Sequence, residues 1–159
     1  MQIIRNRAIT EDDFLHVPDA GELPAGGKPI VTLARYVASR DELLARYPHL
    51  GVRITCDKLP ADIPDPTRLA LIAIEFPRFT EGRGFSIARQ LRERHGYRGE
   101  LRAVGWVLHD RLAYLERCGF DAFELQPGKS LESALQAFGE LGVTYQADVT
   151  ERRPIYRRR

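Results

Sequence analysis

Cysteine is almost missing from this chain: two in 159 residues, Cys56 and Cys118. So few, so far apart, form no disulfide framework, no CxxC redox pair and no zinc spacing, and they fall short of an iron–sulfur cluster. No run approaches about 18 consecutive apolar residues, so no membrane-spanning helix is expected. The opening Met-Gln-Ile-Ile-Arg-Asn-Arg has neither the apolar stretch nor the small-residue cleavage site of a secretory signal. A cytoplasmic protein with reduced thiols is expected. The histidines His16, His49, His95 and His109 show no HxH, HxxxH or HExxH spacing, so no metal site is expected. Charge of one sign is lacking too: 24 Lys+Arg against 22 Asp+Glu leave +2. Five of those arginines (Arg152, Arg153, Arg157, Arg158 and Arg159) crowd the last eight residues. Without them the remainder is net negative, which argues against a nucleic-acid surface.

What is present reads as one α/β domain over residues 1–150 with an Arg-rich tail over 151–159. Hydrophobic residues make up 43% and charged residues 29%, ordinary for a folded soluble domain. Gly followed by an apolar residue recurs at Gly51-Val52, Gly96-Tyr97, Gly119-Phe120 and Gly142-Val143. Glycine supplies the left-handed turn beyond a helix, and the next apolar side chain folds back on it. Strand-like runs follow at Val52–Cys56, Leu101–Val104, Asp121–Leu125 and Val143–Tyr145. Ile30–Leu33 and the nearly all-apolar Leu69–Phe76 add two more. Helical spacing is expected over Phe85–His95 and from Leu108 through Leu112 and Leu115 to Cys118. A further helix should open behind Ser130, and an earlier one at the Ser39 capping box with Glu42. Residues 1–17 suggest a β-hairpin, and repeated strand–helix units fill 30–148. Such alternation implies a mainly parallel sheet. We expect an open sheet, with an incomplete (β/α) barrel as the alternative; exposed edges in either invite a homodimer.

Ligands of parallel α/β proteins bind where strands end and helices begin. Three loops qualify. Arg78, Gly82, Arg83, Gly84 and Ser86 lie on the first, where glycine amides and a guanidinium suit a small oxyanion. It fails the dinucleotide fingerprint, since Ile87 occupies the final small position. Trp106, His109 and Asp110 lie on the second; Asp110 also suits a helix N-cap. Lys129 lies on the third, whose Gly128-Lys129-Ser130 lacks the first glycine of a phosphate loop, Phe123 standing there. No flavin, nicotinamide, haem or iron–sulfur motif is recognisable, so no cofactor is assigned.

The runs Gly82-Arg83-Gly84-Phe85-Ser86-Ile87-Ala88-Arg89, Gly99-Glu100-Leu101-Arg102-Ala103-Val104-Gly105 and Cys118-Gly119-Phe120-Asp121 resemble the bacterial domain of unknown function 934 family. The resemblance is densest from 69 to 125. Members are typically encoded beside sulfite reductase and carry a general label of oxidoreductase in sulfite reduction. The resemblance therefore implies a role in sulfur assimilation, either as an accessory that binds an anionic ligand or acidic redox partner, or as a small oxidoreductase. Sulfite reductase or its acidic electron donor is the implied partner, which the arginines between Arg78 and Arg102 would suit. The acid expected after the second-loop glycine is Trp106 here, and the expected Arg and Gln flanking Asp110 are His109 and Arg111.

Overall fold

The computed structural model describes residues 1–78, 80–139 and 147–153. A two-residue turn at Asn6 and Arg7, both at positive φ, joins β1 (Gln2–Arg5) to β2 (Ala8–Glu11). Paired positive φ values match the twist of a tight antiparallel hairpin. The expected hairpin is thus shorter than residues 1–17. Phe14–His16 forms a separate strand, β3, parallel to β4 (Lys28–Thr32).

Four further strands and five helices follow. Thr32 caps α1 (Leu33–Ala38), accepting from the Arg35 N–H, and α2 (Arg40–Arg46) follows at once. Then come β5 (Gly51–Thr55), β6 (Leu71–Phe76), α3 (Arg83–Glu93), β7 (Glu100–Gly105), α4 (Leu112–Arg117), β8 (Ala122–Phe123) and α5 (Leu131–Gln136). Gly96 and Gly119 do end helices at positive φ. Gly51 instead sits inside β5, where a Cβ would lie 2.9 Å from Ile30 Cγ1. Ser39 precedes α2 without a side-chain cap bond. Ser130 caps α5, accepting from the Ser133 N–H at 3.1 Å. Gly142, the expected strand Val143–Tyr145 and the arginines Arg157–Arg159 lie outside the described residues. Among the described residues no helix is long and apolar enough to cross a membrane.

The sheet is mainly parallel and runs β2-β1-β8-β7-β6-β5-β4-β3. Strands β3 to β8 therefore lie side by side in chain order, the incomplete-barrel succession rather than the expected open one. Right-handed crossovers that all step the same way leave every helix on one face. On that face Val31, Val52, Ile54, Ile72 and Ile74 pack with Tyr36, Leu43, Ile87, Leu91 and Leu115 in one apolar core. Fully burying each aliphatic side chain contributes about 1.5–3 kcal/mol.

The two ends of this order, β2 and β3, are joined only by Asp12 and Asp13. Three Cα steps span at most about 11 Å, so the sheet curls until its edges approach. The opposite face becomes a concave interior with only a small apolar cluster: Ile30, Leu71, Ala73 and Val104, with Phe14 packed on it.

Candidate functional site

The loop after β6 was the leading sequence candidate for an oxyanion. In the structure its cation is already matched. Arg83 donates from Nε and Nη2 to the two Glu81 carboxylate oxygens, each at 2.9 Å, and its N–H donates to Glu81 Oε1 at 3.1 Å. A carboxylate thus occupies the place an anion would take. Gly84 serves close packing: a Cβ there would meet the Phe76 ring at 2.5 Å and Cys56 Sγ at 3.0 Å. Gly82 is the residue before α3, and Ser86 lies within the helix rather than at its cap. Arg78 is exposed and has no ion-pair partner among the described residues.

This local pair has a measurable consequence. The hydrogen bonds from the Arg83 side chain, then its amide, hold the Glu81 carboxyl down to about 2. Hydrogen bonding to the charged form stabilises it. Carbon-13 NMR titration should find Glu81 near that value in the wild type and in the ordinary glutamate range in Arg83→Ala. Unchanged titration in the variant would show that the pair does not form in solution.

The second and third loops come together. Gly105 ends β7 at φ +85°, and a Cβ on it would lie 2.5 Å from the Phe76 carbonyl oxygen. That carbonyl accepts from the Trp106 N–H at 2.8 Å. The chain then turns through a 3₁₀ segment, His109–Arg111, into α4. Asp110 is exposed in this segment and makes no cap bond. Between this loop and the one after β8 lies a cleft of about 140 Å³, lined by His109, Lys129, Ser130 and Ser133 on its polar side and by Val107, Leu125 and Ala134 on its apolar side. Lys129 follows Gly128, which takes φ +81°, and has no carboxylate partner among the described residues. Trp106 and Asp110 do not line the cleft; Trp106 is 45% exposed.

The arginines between 78 and 102 prove to be divided. Arg83 and Arg89 are paired with Glu81 and Glu93. Arg92 and Arg102 are buried. Only Arg78, Arg94 and Arg98 remain exposed without an ion pair among the described residues, a thin surface for an acidic partner.

Sequence reasoning missed the densest charge cluster, which lies inside the concave face. Arg102 donates to Asp12 Oδ2 and Oδ1 at 2.7 and 2.8 Å and to Glu100 at 2.8 Å. Its guanidinium also sits 5.4 Å from the centre of the Phe14 ring. Burial opposes the charge, but Asp12 and Glu100 outweigh it and raise the Arg102 pKa above its ordinary value. Arg5 reaches Glu100 at 2.8 Å. Towards the carboxyl ends of the strands, His16 Nε2 meets Glu124 Oε2 at 3.0 Å, and Arg53 stands 3.6 Å from Glu75. The Arg102 and Asp12 side chains have no exposed surface, whereas those of Arg53 and Glu75 are about a third exposed, at 33% and 34%. Solvent therefore reaches the Arg53–Glu75 pair at the strand carboxyl ends and also Arg5, whose side chain is 26% exposed, while Arg102 and Asp12 are sealed between them. A signal was available: charges at alternate positions of otherwise apolar strands, as in Glu100-Leu101-Arg102, face the inside of a curled sheet.

The cysteines are sealed away from this surface. Cys56 donates to the Glu75 carbonyl; burial first, then the Glu81 carboxylate, pushes its thiol up to about 11. Burial also raises Cys118.

Neither the curated proteins nor the solved structures contain a match to this chain. One family model matches residues 51–156, the stretch that carries β5 through the cleft. That span is two-thirds of the chain, and it places the protein in the family described as bacterial protein of unknown function (DUF934).

Proposed function

We propose that the protein is an accessory of assimilatory sulfite reduction that holds a small oxyanion in the cleft between the loops after β7 and β8. One observation carries this reading: His109 and Lys129, from separate loops, line the same cleft beside two serines. The Lys129 ammonium, without an ion-pair partner among the described residues, supplies charge, and the His109 ring and Ser133 hydroxyl supply donors of the size a tetrahedral or pyramidal oxyanion needs. The apolar wall of Val107, Leu125 and Ala134 lowers the local dielectric and strengthens those contacts. The link to sulfur comes from the family resemblance across 69–125. Direct thiol chemistry is less well supported, because a buried thiol held at about 11 is a poor thiolate near neutral pH.

Sulfite should raise the melting temperature of the wild type. Lys129→Ala should need at least about ten-fold more sulfite for the same shift, the usual weight of one hydrogen bond to a charged group. Equal shifts would remove the cleft from consideration. A host strain lacking the protein should grow poorly on sulfate or sulfite and recover on sulfide or cysteine, with wild type restoring growth better than Lys129→Ala. Normal growth of the deletion strain on all four would end the sulfur reading.

A further inference from the structure

The cleft beside Lys129 is layered. Its base is Val107 and Ala134, each 1% exposed and both part of the main apolar core. Leu108 and Leu125, only partly buried, form its apolar sides. Every polar side chain of the lining, His109, Lys129, Ser130 and Ser133, is exposed. Charge and hydrogen-bond donors therefore ring the mouth, and carbon lies beneath them.

A bare oxyanion uses only the upper layer. Pushed to the base, it would exchange water for side chains that offer no hydrogen bond, and a charge stripped of water without partners is costly. Kept at the mouth, it leaves the lower part to water that finds too few polar partners there. The space is also too large for the ion alone. A cavity of about 150 Å³ takes up benzene, and the cleft measures about 140 Å³. With a sulfur and its oxygens at the mouth, room remains for about two to three carbons.

The mouth sets the head group as well. The Ser130 hydroxyl already donates to Glu132 Oε2 at 3.0 Å, which leaves the Lys129 ammonium, the His109 ring and the Ser133 hydroxyl as donors. Three donors suit a head with three equivalent oxygens better than a carboxylate with two. One ammonium, with the Glu132 carboxylate close behind Ser130, favours a single negative charge over a double one.

From this layering of a cationic mouth over an apolar base, we infer that the ligand of the cleft is a short-chain alkyl sulfonate. Its head sits among Lys129, His109 and Ser133, and its chain lies against Leu108 and Leu125. The inference rests on the reading of the cleft as an oxyanion site and adds the organic tail to it.

The experiment titrates sulfite and the methane-, ethane-, propane- and pentane-1-sulfonates into nitrogen-15-labelled protein at constant pH and ionic strength, following the Gly128 and Ser133 amides. Affinity should rise about three-fold per methylene, so that propane-1-sulfonate binds about ten-fold more tightly than methanesulfonate and also more tightly than sulfite. Pentane-1-sulfonate should add less than about two-fold, because the cleft is then full. Lys129→Ala should weaken the whole series by a common factor of about ten. Leu125→Ala, checked for an intact amide fingerprint, should flatten the dependence on chain length. Sulfite and methanesulfonate held through Lys129 with no gain along the chain would overturn the alkyl sulfonate and leave the oxyanion reading standing. No response to any of these anions, or a series indifferent to Lys129→Ala, would end both. A gain that continues undiminished to pentane-1-sulfonate, or that persists in a folded Leu125→Ala, would overturn the alkyl sulfonate too. The wild-type series decides the matter if Leu125→Ala does not fold.

Discussion

Asp12→Ala is expected to cost about 3–5 kcal/mol of folding free energy, the range for removing one partner of a buried ion pair. The residue sits at the only link between the two edges of the sheet, and its carboxylate is the bidentate partner of Arg102 across 90 positions of sequence. Taking it away leaves a guanidinium with no exposed surface and Glu100 as its main compensation. The same change removes the tie between the β2–β3 link and β7, while β1 stays paired with β8. Urea unfolding would measure it, with Arg102→Met and the double variant completing a cycle. The double variant should lose less than the sum of the singles, by at least about 1 kcal/mol, because a stranded charge is worse than no charge. A loss for Asp12→Ala below about 1 kcal/mol would mean the network does not hold the curl together.

Arg92→Met is the second large effect, of similar size. Arg92 leaves α3 and donates to three carbonyls, those of Gly119, Tyr97 and Gly99 at 2.9, 3.0 and 2.8 Å, and to Asp121 Oδ2 at 2.8 Å. It thus ties the helix to the starts of β7 and β8. Asp121 in turn accepts from the Leu101 N–H at 2.8 Å. Burial pushes the Asp121 carboxyl above its ordinary value even with Arg92 opposing, so losing Arg92 should push it further. A carboxyl whose folded pKa lies above its unfolded one favours the folded state when protonated. The penalty in Arg92→Met should therefore be full at neutral pH and shrink as the pH falls through the carboxylate range. Urea midpoints at several pH values test this. A penalty that stayed constant in acid would show that the lost carbonyl bonds, rather than the stranded acid, carry the cost.

Arg92 and Arg102 belonged to an arginine-rich stretch suited to an acidic partner, yet each is buried against groups that fold around it. Their partners Asp121 and Asp12 are 29 and 90 positions away, beyond any local spacing rule. In the loop after β6 the pairing is local instead. Glu81 lies two residues from Arg83, near enough to claim it, and Gly84 packs closely under Phe76. Lys129 and His109, weaker candidates alone, gained weight only when the ends of β7 and β8 brought their loops side by side.

Helix stops at Gly96 and Gly119, the Ser130 cap, the buried apolar run before Pro77 and the alternation of strand with helix were all readable from neighbouring residues. These depend on backbone dihedrals, on one hydrogen bond or on the period of apolar side chains, and each is decided within a few positions. Strand order and the charged interior were not, because both follow from how far the sheet curls. That curl is imposed by a two-residue link between its edges, which turns alternate side chains from distant strands towards one another and leaves Arg102 and Asp12 no water to face.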